Sequence, residues 1–224
     1  MSTLVTSRRL LAAAVLIVPL LIGVNALFHP AVEISGEGLL HGAHENATAW
    51  YIVHMVAAIG AMLTIAAGVG LRTLVVDRGR RLANVALAAT IVGAPLLVIG
   101  FVAEASVLRL AAGVDEAAGV AVATEFAGTP EFYVIPLGVL GVTLGNVLMA
   151  IGLLKARAVP RWAAGLFIAG WLASLATVPG APVTPVIYAA VAVSAAVLAG
   201  RVARGRLAYA PTPDDTSRPQ PVMA

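Results

Sequence analysis

The chain has 224 residues, of which 60% are hydrophobic and only 11% charged, with a mean hydropathy of +0.97 and a formal net charge of +3. A soluble domain of this length needs more polar surface than such a composition supplies, so lipid is the solvent the sequence implies. With no cysteine, disulfides, thiolate nucleophiles and iron–sulfur ligation are excluded.

Six segments approach the ~20 apolar residues that a helix needs to cross ~30 Å of hydrocarbon. They predict an all-α fold: six transmembrane helices in one bundle over 1–208, plus a short outer amphipathic helix. The first segment, 9–28, follows Arg8 and Arg9 and carries Pro19 and Asn25. Its apolar run exceeds the usual signal-peptide core, so a retained helix is expected. The stretch 29–54, HPAVEISGEGLLHGAHENATAWYIVH, contains all four histidines of the chain. His29 sits where the first helix leaves the membrane, and His41 and His44 are expected in a loop in which Gly42 weakens helix. His54 falls about one turn inside the second segment, 49–71, behind Trp50 and Tyr51.

DRGRR (77–81) leads into the third segment, 82–108, and most simply anchors to anionic headgroups. That segment holds Pro95, Phe101 and, near its far end, Glu104, with Arg109 just beyond. The following stretch is too polar to span and too apolar for a plain loop. Its pattern over 114–126 predicts a helix lying on the outer surface, a lid over the histidines. The fourth segment, 132–154, opens on Phe132 and Tyr133 and contains Pro136, Gly138, Gly141, Gly145 and Asn146. Asn25 and Asn146 are expected to hydrogen-bond between helices. Segments 161–179 and 183–202 are joined by VPGAPVTP; Trp171 in the former is expected to pack, and Tyr188 opens the latter. Residues 209–224 read as a disordered tail.

Thirteen of the fourteen basic residues fall on one side of this arrangement, with Arg109 the exception. The positive-inside rule makes that side cytoplasmic, with both termini, in a multi-pass cell-membrane protein. Eight of the eleven acidic residues, including Glu33, and eight of the twelve aromatics then share the outer face with the histidines. Sorting of basic residues accounts for part of the acidic excess, and Trp50, Tyr51 and Tyr133 match an interfacial belt. His54 and Glu104 resist such explanations, because ionisable groups inside spans are functional by default. Each lies about 7 Å from the outer end of its helix at 1.5 Å per residue, so the two are expected to meet, with His29 beside them. A Glu104–Arg109 pair at the interface is the structural alternative.

Two chemistries suit such a group. A metal set of His29, His41, His44 and His54 with a carboxylate would take zinc, copper or iron, with haem the weaker candidate. Alternatively Glu104 and His54 act as acid and base on a lipophilic, isoprenoid-like substrate, with Trp50, Tyr51, Phe101, Tyr133 and Tyr188 lining its pocket. Membrane-bound terpene cyclases are small helical enzymes of this size, although their acidic motifs are not visible here. A transporter or a non-catalytic subunit of a membrane complex is a third class, and the first and second halves show no repeat that would favour the transporter. Membrane lipid is the expected partner. Nucleic acid is not, because the basic residues only flank spans. In size and hydropathy the chain resembles small six-span bacterial membrane proteins, with no motif that ties it to one family.

Overall fold

A computed structural model describes residues 2–29, 35–76, 78–176 and 183–205. Among them the chain is all helical: α1 (Ser2–Phe28), α2 (Gly36–Glu45), α3 (Ala47–Arg72), α4 (Arg80–Ala111), α5 (Glu116–Ala127), α6 (Pro130–Lys155), α7 (Arg161–Ser174) and α8 (Thr184–Arg204). Glu33, the centre of the 178–185 turn and the 209–224 tail lie outside the described residues.

Five helices, α1, α3, α4, α6 and α8, are long and apolar enough to cross a membrane. Large apolar side chains face outward on several of them, with Ile59 58%, Val92 64% and Val193 57% exposed. Water would penalise that surface and lipid does not. Inside, small residues set the spacing. A Cβ on Gly138 or Gly141 of α6 would come within 2.9 Å of α4 backbone or side-chain atoms, and one on Gly93 of α4 within 2.7 Å of Val142 N. The two helices therefore pack backbone against backbone, as small residues allow in lipid.

The bundle has one basic end. Gly70 of α3 lies against Leu11 of α1, Gly79 before α4 lies against Gly152 of α6, and Arg8 lies against Gly205 after α8. The described ends of the chain are thus neighbours, together with Arg72, Arg80 and Lys155. His29, Trp50, His54 and Glu104 occupy the opposite end.

The expected fifth span, 161–179, is shorter than its apolar run. α7 ends at Ser174, whose hydroxyl donates to the Trp171 carbonyl at 2.7 Å. The next two amides bond three residues back (Leu175 N to Leu172 O, Ala176 N to Ala173 O), tightening the last turn. The resulting 14 residues reach about 21 Å at 1.5 Å each, short of the hydrocarbon thickness. Trp171 packs, as expected, buried against Phe167. Asn146 does not bond between helices: its Nδ2 donates to Val142 O, one turn back in α6, at 3.0 Å.

At the site end two short helices form a cap. The outer stretch 36–45, expected as a loop, is the helix α2. Ser35 caps it by accepting from Gly38 N at 3.0 Å, and Glu37 sits in its first turn. Its buried residues Gly36, Leu39, Leu40 and Ala43 recur at helical spacing. α5 covers the segment predicted as an outer helix; Asp115 caps it and accepts from Ala118 N. Gly119, Ala123 and Phe126 face inward, while Asp115, Glu116 and Glu125 are exposed. Leu39, Leu40, Ala43, Leu108, Ala111 and Ala123 close around Trp50, the first large residue of α3.

Candidate functional site

Asn25, one turn before the end of α1, donates through Nδ2 to the Val53 carbonyl of α3 at 2.8 Å. This bond sets α1 against α3 where His29 and His54 must meet. The backbone N–H of His29 donates to Asn25 O at 2.8 Å, so the ring leaves from a still-helical chain end. It lands on α3: its centroid is 5.1 Å from that of Trp50 and 5.0 Å from that of His54.

His54 is 2% exposed. Its Nδ1 lies 2.8 Å from the carbonyl oxygen of Trp50, one turn earlier. A carbonyl can only accept, so Nδ1 carries the hydrogen and donates. The other nitrogen, Nε2, then faces α4, where it lies 3.4 Å from Oε2 of Glu104, itself buried. That separation is in ion-pair range and longer than a tight hydrogen bond. Trp50 flanks the imidazole at 4.8 Å and Phe101 meets it edge-on at 6.0 Å. Trp50 Nε1 is buried and has no hydrogen-bond partner among the described residues.

Comparison with protein-family models, curated proteins and solved structures yields no match. The chemistry therefore rests on the geometry alone.

With Nδ1–H committed to the Trp50 carbonyl, Nε2 is the ring nitrogen left to meet the Glu104 carboxyl across the α3–α4 contact. An ionisable group buried in an apolar setting is costly without such a partner.

Several expected members stand elsewhere. His41 and His44 lie on the exposed side of α2, away from its buried face, and His41 Nε2 pairs with Glu45 Oε1 at 3.6 Å. The four-histidine metal set is not assembled, because a helix in place of the loop turns these two rings to solvent. Among the described residues no three His, Asp or Glu side chains are grouped to hold a metal. Arg109 does not pair with Glu104; its guanidinium lies 4.9 Å from the ring centroid of Tyr51. Tyr133 is exposed against Phe132, and Tyr188 lies beside Gly23 of α1, hydrogen-bonded to Ser174. Among the described residues, no ring contact joins Tyr51, Tyr133 or Tyr188 to His54. The Trp50 carbonyl is the one partner of His54 not among the sequence expectations, although the four-residue spacing places Trp50 and His54 one turn apart on a helix.

Proposed function

We propose that the chain crosses the membrane six times, with both termini cytoplasmic, and carries a ligand site at its extracytoplasmic end built on His54 and Glu104, with His29 beside them. The clustering of the basic residues supports the orientation. The sixth crossing is supported by α6 ending and α8 beginning at opposite ends of the bundle, with α7 between them in the chain.

The observation that carries the site is the approach of His54 and Glu104, ionisable groups from different spans within 3.4 Å and both buried. Intramembrane ionisable groups are rare, and their default reading is functional. With Nδ1 donating to Trp50, Nε2 of a neutral imidazole and the oxygens of a carboxylate are acceptors that face each other, so the pair can share a proton or a small cation. Zinc, copper or iron suit an imidazole–carboxylate pair; as no third His, Asp or Glu is grouped with it among the described residues, the remaining ligands would come from water or substrate. Acid–base catalysis on a lipophilic substrate is the second reading, favoured by the aromatic wall of Trp50 and Phe101 around the shared proton.

The test is metal analysis of purified protein at pH 7 and pH 5, alongside infrared titration of the carboxyl band. A cation site gives bound metal at pH 7, less at pH 5, and none in His54→Ala or Glu104→Gln. A proton site gives no metal, but a carboxyl signal that titrates in the wild type and disappears in Glu104→Gln. A wild type showing neither overturns the site. Co-purification of a lipid-like molecule, lost in Glu104→Gln, would move the assignment to the enzyme.

A further inference from the structure

The basic end holds a surface cavity of about 470 Å³, lined by Gly79, Arg80, Arg81, Leu82, Asn84 and Lys155. Its polar groups share one property: they donate. Arg80 and Arg81 come from the first turn of α4 and Lys155 from the last turn of α6. Asn84 would ordinarily offer an acceptor, but its Oδ1 already takes the Arg72 Nε–H at 2.6 Å, which leaves the amide NH₂. The α4 N-cap is Gly79, which has no side chain to accept from the first-turn amides. Among the described residues no carboxylate pairs with Arg80, Arg81 or Lys155; the two ion pairs both lie at the other end of the molecule.

Three cations and an amide donor around one cavity, with no side-chain acceptor left over among the described residues that line it, call for an anion with several oxygens. A phosphate group meets that description, since each oxygen accepts charge-assisted hydrogen bonds. It can belong to a lipid or be free in solution, and position decides between them. Val85, one residue past Asn84, is 56% exposed and faces outward on a membrane-crossing helix. The cavity thus sits where the apolar surface of α4 gives way to charge, which is headgroup level. We propose that this cavity binds the phosphate of an anionic phospholipid, held by Arg80, Arg81 and Lys155 with Asn84 as a fourth donor. It rests on the membrane-spanning reading and is independent of the His54–Glu104 site.

The experiment reconstitutes the full chain in phosphatidylcholine nanodiscs with or without phosphatidylglycerol, and reads lipid retention by native mass spectrometry with thermal melting in parallel. Wild type should retain phosphatidylglycerol about tenfold better than R80Q/R81Q/K155Q, a difference of about 1.4 kcal/mol. A charge-matched control, R9Q/R161Q/R204Q, removes three basic residues of the same end that do not line the cavity and should retain it like the wild type. Equal melting of all three proteins in pure phosphatidylcholine shows that the changes leave the fold intact. If the site variant melts lower there, R80K/R81K, which preserves charge, must still retain the lipid. Loss of retention in the control to the same degree as in the site variant would reduce the effect to diffuse surface charge and overturn the proposal. So would stabilisation by millimolar inorganic phosphate with no preference for phosphatidylglycerol, which would make the occupant a free anion.

Discussion

His54, buried in α3, has little water to replace a lost partner, and this separates it from His41 and His44 on the exposed face of α2. Its depth could be counted along the sequence, as could that of Glu104, because both follow from helix rise and predicted span ends. The choice of His54 over Arg109 as the partner of Glu104 could not. Arg109 lies five residues on, more than one turn further out, where its long side chain reaches the face of Tyr51 instead. His54→Ala leaves the Glu104 carboxyl buried and unpaired and should destabilise the protein by about 3–5 kcal/mol. Glu104→Gln keeps the shape and offers an amide donor to Nε2, so its loss should be nearer 1 kcal/mol. His41→Ala, on an exposed face, should stay within about 0.5 kcal/mol of wild type. Thermal unfolding in detergent measures all three. In the double variant with Glu104→Ala, the two losses should fall short of their sum, because each change removes the same contact. An His54→Ala variant as mild as His41→Ala would mean that the buried pair does not hold the end of the bundle together.

The elements were legible in proportion to their length. Long apolar runs specify α1, α3, α4, α6 and α8 whatever their neighbours do. The two short outer helices depend on each other, and only α5, with its Asp115 cap and repeating small residues, announced itself. α2 was obscured by Gly36, Gly38 and Gly42, which lower helix propensity by about 1 kcal/mol each. At Gly36 the reason is contact: α5 comes so close that a Cβ there would meet Thr124 backbone within 2.8 Å. α5 is held as tightly against the end of α4, since a Cβ on Gly119 would sit 2.7 Å from the Ala111 carbonyl oxygen. Backbone cannot yield there, so Gly119→Ala should cost about 1–3 kcal/mol despite the better helix former. It should also loosen the cap over Trp50. In a Trp162→Phe, Trp171→Phe background, Trp50 is the only tryptophan, and its emission should shift to the red with more quenching by acrylamide. Gly165→Ala is the control. Nothing lies within 4 Å of a Cβ there, so the change should be neutral or mildly stabilising. An unchanged Trp50 emission in Gly119→Ala would show that the cap does not seal the site.

At the scale of the molecule, one chemical asymmetry organises the chain: basic residues at one end of the bundle, and buried histidine, carboxyl and aromatic groups at the other. Composition makes the membrane legible, because 60% hydrophobic residues cannot be covered by 11% charged ones. The number of crossings was less so, since apolarity continues past Ser174 while the amides of Leu175 and Ala176 turn to carbonyls three residues back. The proposed orientation rests on where positive charge is tolerated during insertion. The absence of cysteine makes it directly measurable with single-cysteine variants and a membrane-impermeant maleimide on intact cells. Glu37→Cys on α2 and Glu116→Cys on α5 are exposed at the site end and should label without lysis. Arg81→Cys and Arg204→Cys, exposed at the basic end, should label only after permeabilisation. Labelling of Arg204→Cys from outside, with Arg81→Cys protected, would place the end of α8 outside and reduce the proposed six crossings to five. Labelling of both from outside would invert the molecule and turn the His54–Glu104 site toward the cytoplasm.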